Sequence, residues 1–436
     1  MVHALKARYV FPVSAKPIVN GMVGIQGELI TAVGDHVAAD TAEDLGNVAI
    51  LPGLVNAHTH LEFSGLTKPF GEPGIGFVDW IYLIRHESLE VRIQAVKKGI
   101  NECVRCGTTT IGDIAQSDIP ASELEKENMP ADGTAFLELI APTAERVAPA
   151  MELAQTYLKG PGFRVQGSEF GWESNAEPLT LNPEHSPEPR TLNPEPLNWQ
   201  IGLSPHAPYS VHLDLLEKIV ELSVRRQFPL AMHLAESREE IQWMEEGNGP
   251  VKDLLIDLGA YDPAAASHCS RPLDYLEMLA VASRVMIIHG NYLNHDEIGL
   301  LADHAETMAV VYCPRTHQYF GHERYPLDRM LTSGVTVCLG TDSRASSPDL
   351  DLLAEIRHVR QHHPELNPQI VLQLGTLLGA KALGRDREIG SLETGKYANL
   401  AIVPLPNRKS AGPYDLLFDS DNPATATWFR GKRVCG

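Results

Sequence analysis

The stretch Gly53-Leu54-Val55-Asn56-Ala57-His58-Thr59-His60 is a mostly apolar run that ends in two histidines one residue apart. Such a run predicts a buried β-strand. Side chains at i and i+2 of a strand point to the same side, so His58 and His60 are predicted to aim at one point, as ligands of a divalent metal do. With 18 histidines in 436 residues, roughly one His-x-His arises by chance. The rest of the chain must therefore supply further ligands and a proton-transfer group.

The composition is that of an ordinary globular protein, with 43% hydrophobic and 21% charged residues. A formal net charge of −20 argues against nucleic acid or an anionic membrane as a partner. Residues 1–19 lack the apolar segment of a signal peptide, and no run approaches the roughly 18 apolar residues of a membrane-spanning helix. Cys103 and Cys106 form a C-x-x-C without a second pair, which favours buried helix cysteines over a redox or metal site. We expect a cytoplasmic protein.

From residue 51 onward, short apolar runs alternate with longer segments of helical periodicity. The predicted strands are Gly53–His60, Thr108–Ile114, Ala135–Ala141, Gln200–Ser204, Leu230–Leu234, Val285–His289, Met308–Cys313 and Val335–Gly340. Strands that alternate with helices form parallel sheets, and eight of them close a barrel. The sequence therefore predicts an α/β fold, a (β/α)8 TIM-like barrel, over residues 51–384.

The two ends of the chain have a different pattern. Residues 1–50 and 385–436 carry short strand-like runs separated by glycine, proline and polar residues. We expect them to combine into one small β-sandwich domain, with the barrel inserted between them. The segment 167–199 is rich in proline, glutamate and asparagine and contains Thr-Leu-Asn-Pro-Glu twice. It predicts a surface insertion between the third barrel helix and the fourth barrel strand.

Potential ligands and acid–base groups recur where the predicted barrel strands end. Barrel enzymes carry their active sites at the carboxyl ends of the strands, so this recurrence predicts one shared site. Each group could also have a purely structural role. A histidine can cap a loop or lie buried in the core, and an aspartate can be a turn residue. The groups are His58 and His60, His206, His233 with Glu236, His289, and Asp342.

Several motifs, taken in order, resemble the amidohydrolase superfamily, in particular its branch of cytosine, guanine and adenosine-type deaminases and triazine hydrolases. The resemblance covers nearly the whole chain. It is carried by Pro52–His60, His206-Ala-Pro-Tyr-Ser, His233-Leu-Ala-Glu236, His289-Gly290, Gly340-Thr-Asp-Ser343 and Gly390–Leu400.

The resemblance implies one divalent metal, Zn²⁺ in the first place and Fe²⁺ as the alternative. Its ligands would be His58, His60, His233 and Asp342. The metal would activate a water molecule by lowering its pKa. Glu236 would carry a proton from this water to a ring nitrogen, His289 would orient the water, and Asp342 would take the remaining proton to the leaving amine. The predicted fourth strand contains no lysine to bridge a second metal.

Four segments narrow the choice of substrate class. They are Leu61–Ser64, Trp80–Arg85, Cys313–His322 and Gly340–Ser347. They most resemble the aminodeoxyfutalosine deaminases and are similar to S-adenosylhomocysteine and methylthioadenosine deaminases. The resemblance implies hydrolytic deamination of an aminopurine nucleoside, in which activated water attacks the amino-bearing ring carbon and ammonia is released. The candidate substrate contacts are His206, Glu62 for ribose, Trp80 over the base, and Arg85, Arg315 or Arg344 for a carboxylate. The alternative for each arginine is an ion pair within the protein.

Two other functions stay open at this point. The same metal set would serve hydrolysis of another heteroaromatic C–N or C–Cl bond, as in triazine hydrolases or guanine and cytosine deaminases. A barrel that binds metal without catalysis is the more remote alternative. A small-molecule heteroaromatic compound is the expected partner, and a homodimer is expected by analogy with the family.

Overall fold

The computed structural model describes residues 1–86, 92–116, 130–159, 199–263, 271–408 and 411–436. The predicted insertion at 167–199 lies outside these residues except for Trp199, which is buried. Within the described part of the chain, no helix is long and apolar enough to cross a membrane.

Eight parallel strands form a single sheet in sequence order. Their bounds are Leu54–Thr59, Thr108–Ala115, Asp132–Leu139, Gln200–Pro205, Leu230–Leu234, Val285–His289, Met308–Tyr312 and Thr336–Leu339. The last strand meets the first at a parallel bridge between Thr59 and Asp342. Every predicted strand overlaps an observed one, and the (β/α)8 barrel is confirmed.

The barrel strands are buried on both sides, which explains their nearly continuous apolar runs. Along the sixth strand, Met286 and Ile288 belong to one apolar cluster and Val285 and Ile287 to another. This alternation follows the two-residue period of a strand. One set therefore fills the barrel interior while the other packs outward against the helices.

Helices surround the barrel and connect its strands. Their bounds are Phe77–His86, Arg92–Arg105, Ala144–Tyr157, Leu213–Arg226, Arg238–Glu246, Pro250–Asp257, Pro272–Leu279, His295–Asp303, Pro314–Phe320, Leu327–Ser333, Leu352–His362, Pro368–Leu374 and Leu377–Ala382, with Pro413–Phe418 near the end of the chain. Short 3-10 turns follow the first and fourth barrel strands, at Leu61–Gly65 and Pro208–Ser210.

The two ends of the chain form two further sheets. The four-stranded one contains His3–Lys6, Met22–Gln26, Leu29–Gly34 and Thr41–Asp44. The six-stranded one contains Tyr9–Val10, Ile18–Val19, Val48–Pro52, Leu400–Pro404, Ala426–Phe429 and Lys432–Cys435. Val48–Pro52 pairs antiparallel with Leu400–Pro404, which joins the two ends. Both sheets contribute to one buried cluster, so the predicted sandwich is confirmed, while its exact domain boundaries stay a prediction.

The strand Thr41–Asp44 was not predicted. All four of its side chains are exposed, so no apolar pattern marks it in the sequence. It exists because its backbone pairs in parallel with His3–Lys6. Backbone pairing of this kind depends on a neighbouring strand and leaves no trace in side-chain composition.

A buried ionic cluster connects the barrel to the terminal sheets. Asp132, the first residue of the third barrel strand, accepts two hydrogen bonds from Arg385, at 2.5 and 3.0 Å. Arg430, which follows the strand Ala426–Phe429, approaches the same carboxylate at 3.4 Å. Asp132 and Arg385 are each 2% exposed. Because the pair is bidentate and fully desolvated, it fixes the orientation of both groups.

We predict that Arg385→Met lowers the free energy of unfolding by about 3–5 kcal/mol, because a buried carboxylate loses its bidentate partner. Urea denaturation followed by circular dichroism measures the change. The matched control is Arg324→Met, which removes an exposed ion pair with Glu365 and should cost less than about 1 kcal/mol. Equal losses in the two variants would contradict a special role for the buried cluster.

Candidate active site

Three histidines converge at the carboxyl end of the barrel. His58 lies in the first strand and His60 directly after it, and His233 comes from the fifth strand. One ring nitrogen from each lies within 4.8 Å of the others. The Nε2 atoms of His60 and His233 are 3.3 Å apart.

The protonation of these rings favours a bound cation. His233 Nδ1 lies 3.2 Å from the carbonyl oxygen of His206, which can only accept, so Nδ1 carries the hydrogen and Nε2 presents a lone pair. Both ring nitrogens of His58 are buried and have no hydrogen-bond partner among the described residues. Buried polar atoms normally have partners. A divalent metal, coordinated by the converging nitrogens, would satisfy them, so the residues fit such an ion.

Asp342 brings a carboxylate to the same point. Its Oδ1 lies 3.6 Å from His58 Nε2 and 3.9 Å from His60 Nε2. The second oxygen accepts a 2.9 Å hydrogen bond from Ser346 Oγ, which orients the group. Burial opposes its ionisation, but the imidazole of His58, at 3.6 Å, and the other histidines nearby outweigh this and hold the pKa of Asp342 below its usual value.

Glu236 and His289 form an acid–base pair beside the histidine cluster. Glu236 Oε1 lies 3.3 Å from His289 Nε2. Burial and the nearby charge of Asp342 raise the pKa of Glu236 well above its usual value. Burial lowers the pKa of His289 to about 3, so its ring is neutral. A carboxyl group at this distance from an imidazole is a candidate for proton transfer.

Three non-glycine residues adopt left-handed backbone conformations where barrel strands end. They are Ala235, His289 and Asp342, with φ of 55°, 67° and 57°. Such conformations cost of order 1–3 kcal/mol each and persist only where the surrounding structure holds them. Their concentration at this end of the barrel marks it as a functional site.

Buried hydrogen bonds hold the turn that carries Glu236. The carboxylate of Glu240 accepts from the backbone nitrogens of Ala235, at 3.0 Å, and Glu236, at 2.8 Å. Asn291 Nδ2 donates to the carbonyl oxygen of Glu236 at 2.8 Å. Glu240 is fully buried. Sequence analysis missed this role because Glu240 looks like any charged residue in a helix.

The site opens into a cavity of about 370 Å³, a usual size for a small-molecule pocket. Phe77, Trp80 and Tyr209 supply aromatic walls. Trp80 stacks on Phe77 at a centroid distance of 6.2 Å, and its indole nitrogen donates to the carbonyl oxygen of Ala345 at 2.9 Å. A group of apolar side chains also lines the cavity: Ile81, Ile84, Leu254, Leu255 and Leu258.

Four of the predicted substrate contacts line this cavity: Glu62, Trp80, Arg85 and His206. His206 Nδ1 is hydrogen-bonded to Ser210 Oγ at 2.6 Å, so the residue both holds its loop and faces the cavity. The ring of His206 lies next to that of His233, with centroids 5.1 Å apart.

The other two candidate arginines lie away from this cavity. Arg315 and Arg344 do not line the cavity. Arg315 is paired with Glu355 at 2.5 Å and with Asp349 at 2.7 Å. Arg344 is paired with Glu102 at 2.5 Å. Both guanidinium groups are therefore structural, because carboxylates of the protein itself occupy them.

Gln116, Glu138 and Arg146 also line the cavity, and the sequence analysis did not select them. Glu138 had a detectable signal, since it is a single acid inside the apolar run Phe136-Leu137-Glu138-Leu139. A buried charge in a parallel strand is costly unless it has a function or a partner. Gln116 had no comparable signal, because amides are common after strands.

Comparison with known proteins agrees with this geometry. Residues 49–434 match the amidohydrolase family. An aminodeoxyfutalosine deaminase of Deinococcus radiodurans is 26% identical over 379 residues, which is 84% of this chain and 81% of the relative. A 5-methylthioadenosine/S-adenosylhomocysteine deaminase of Moorella thermoacetica is 26% identical over 428 residues, 93% of this chain and 86% of the relative.

Among solved structures, an adenosine deaminase from Xanthomonas campestris with bound zinc has the same fold. Its TM-score is 0.74 at 23% identity, and the match covers 99% of this chain and 92% of that one. The family match spans the barrel strands and all the histidines of the cluster. The chain belongs to the amidohydrolase family.

Proposed function

We propose that this protein is a metal-dependent hydrolytic deaminase of an aminopurine nucleoside of the aminodeoxyfutalosine, S-adenosylhomocysteine or adenosine type. The observation that carries the proposal is the Glu236–His289 pair, at 3.3 Å, beside the cluster of His58, His60 and His233. The names of the relatives indicate the substrate class.

Zinc is the proposed metal, with His58, His60, His233 and Asp342 as its ligands. Three imidazoles and a carboxylate suit Zn²⁺, and Fe²⁺ accepts the same donors. When bound, the metal would lower the pKa of water toward neutrality. The zinc in the Xanthomonas campestris structure supports this choice.

The residues of the chain would move the protons of the reaction. Glu236 would accept one proton from water and deliver it to the ring nitrogen next to the amino-bearing carbon, which makes that carbon electrophilic. The water oxygen then bonds to the carbon, with His289 and Asp342 orienting it. The second water proton would pass through Asp342 to the amino group, which leaves as ammonia when the C–N bond breaks. The water oxygen ends in the ring carbonyl, one water proton ends on the ring nitrogen, and the other leaves in ammonia.

The cavity walls suit a flat heteroaromatic base that carries a substituent with a carboxylate. Phe77 and Trp80 offer aromatic surface to a heteroaromatic ring. Arg85 and Arg146 lie along the same cavity, where a guanidinium group would pair with a carboxylate on the substrate. We also propose a cytoplasmic homodimer without a nucleic-acid or membrane partner.

We predict that the purified, zinc-loaded protein releases ammonia from at least one of adenosine, S-adenosylhomocysteine and aminodeoxyfutalosine. A coupled ammonia assay measures this, and a triazine tested in parallel for amine or chloride release covers the alternative chemistry. Ammonia from none of the nucleosides, with metal content verified, would refute the proposed function.

The variant Glu236→Gln should lose about 100- to 10,000-fold in kcat, because the amide cannot shuttle the proton. Its zinc content, measured by inductively coupled plasma mass spectrometry, should stay at the wild-type level since Glu236 is not a ligand. Glu245→Gln, at an exposed position of the helix that follows Glu236, is the matched control and should keep full activity. Wild-type kcat in Glu236→Gln would reject the mechanism.

Removal of the metal should destabilise the protein as well as inactivate it. Zinc at 100 times its Kd should add about 2.7 kcal/mol to the stability of the metal-free protein. Thermal unfolding before and after chelation measures this gain. His58→Asn should abolish the zinc-dependent shift, whereas His362→Asn, at an exposed position, should retain it. An unchanged Tm after complete chelation would argue against a metal in the cluster.

A further inference from the structure

Two buried hydroxyl groups form a chain that ends on the second carboxylate oxygen of Asp342. Ser346 Oγ donates to Asp342 Oδ2 at 2.9 Å, and Thr316 Oγ1 lies 3.0 Å from Ser346 Oγ. Ser346 is fully buried and Thr316 is 2% exposed. Neither side chain lines the cavity, so an effect of these hydroxyls on the reaction must pass through Asp342.

The hydrogen bonds of this chain run in one direction. An ionised carboxylate only accepts, so the single hydroxyl hydrogen of Ser346 goes to Asp342. The carbonyl oxygen of Ser343, which also accepts, lies farther from Ser346 Oγ, at 3.5 Å. Because the hydrogen of Ser346 is used in this way, Thr316 is the donor of the other bond. Hydrogen bonds in a chain polarise one another, so Thr316 strengthens the bond that Ser346 makes to the carboxylate.

The two hydroxyls come from different loops at the carboxyl end of the barrel. Thr316 lies in the helix that follows the seventh barrel strand, and Ser346 lies in the turn that follows the eighth. The preceding residues Arg315 and Arg344 carry the structural ion pairs described above. The backbone nitrogen of Ser346 also donates to the carbonyl oxygen of Ser343 at 3.2 Å. Both hydroxyls are therefore attached to backbone that the protein itself holds in place.

We propose that Ser346 is a positioning residue for the reaction and that Thr316 acts through it, by fixing the carboxylate plane of Asp342. This inference rests on the proposed function, in which Asp342 is a metal ligand and carries a proton to the leaving amine. The carboxyl group of an aspartate rotates easily about its last bond. A hydrogen bond at Oδ2 removes this freedom and keeps Oδ1 directed at the histidines, 3.6 Å from His58 Nε2.

The alternative is that the hydroxyls only satisfy each other in a buried region. The adjacent residue Ser347 separates the two explanations. It is equally buried, and its Oγ has no hydrogen-bond partner among the residues that the structure describes. A buried hydroxyl in this turn is therefore tolerated without a partner, and the link to Asp342 distinguishes Ser346 from Ser347. The variant Ser347→Ala is the matched control.

The first test measures zinc affinity by competition with a chromophoric chelator and needs no substrate. Ser346→Ala should weaken zinc binding about 10- to 100-fold, the usual effect of removing a group that holds a metal ligand. Thr316→Val should weaken it less, by about 2- to 10-fold, because the bond between Ser346 and Asp342 remains. Thr316→Ser keeps the hydroxyl and should bind zinc like the wild type.

The second test measures kcat and KM on the nucleoside that the wild type deaminates, at saturating zinc. Ser346→Ala should lower kcat about 10- to 100-fold, because the carboxylate of Asp342 is no longer held. The KM should change little, since the hydroxyl does not line the cavity. Adding Thr316→Val to Ser346→Ala should cause no further loss of zinc affinity or of kcat, because Thr316 acts only through Ser346.

The control Ser347→Ala should keep the zinc affinity and kcat of the wild type, and the Tm of each variant checks its folding. Wild-type zinc affinity and kcat in Ser346→Ala would overturn the inference. So would additive losses in the double variant, equal losses in Thr316→Ser and Thr316→Val, or equal losses in Ser346→Ala and Ser347→Ala. Absence of ammonia from every nucleoside with wild-type protein would refute the proposed function, whereas the zinc affinities would still test the positioning of Asp342.

Discussion

The closure of the barrel is the constraint on which the rest of the structure depends. The backbone nitrogen of Asp342 donates to the carbonyl oxygen of His58 at 3.1 Å, so the segment that follows the eighth strand lies against the first strand. Asn56 adds to this contact between the two strands. Its side chain donates to Thr341 Oγ1 at 2.8 Å and accepts from the Thr341 backbone nitrogen at 3.1 Å. Parallel strands all end at the same face, so closure gathers groups that are distant in sequence.

The electrostatics of the site follow from that convergence. Burial lowers the pKa of His60, but the carboxylate of Glu62, 3.8 Å from its Nδ1, and the charge of Asp342 outweigh this and raise that pKa to about 10. The surroundings of His60 therefore favour a positive charge. A divalent cation bound to the ring nitrogen would supply a positive charge in place of the proton. Glu62 thus contacts two groups, since it lies 3.8 Å from the proposed metal ligand His60 and accepts a hydrogen bond from Gln116 at 3.3 Å.

Buried hydrogen bonds from neighbouring residues hold the backbone of Glu236 and His289 at this end of the barrel. Glu240 holds the turn of Glu236, and Tyr325 donates to the carbonyl oxygen of His289 at 2.8 Å. The two proposed catalytic side chains, Glu236 and His289, therefore project from backbone that buried hydrogen bonds hold in place. A site of this kind is preorganised, because its groups need little rearrangement when a substrate enters. At the opposite end, Asp132 and Arg385 connect the barrel to the terminal sheets.

The sequence by itself determined the barrel, its eight strands and the histidines at their ends, because side-chain periodicity and local motifs encode these features directly. It did not reveal the strand Thr41–Asp44, whose side chains are all exposed, or the role of Glu240, which looks like a surface residue. Only the tertiary structure decided which arginines face the cavity, since Arg315 and Arg344 differ from Arg85 in the carboxylates that folding places beside them. It also brought Gln116 between Glu62 and Glu138, because hydrogen bonds across neighbouring strands exist only once the strands are side by side.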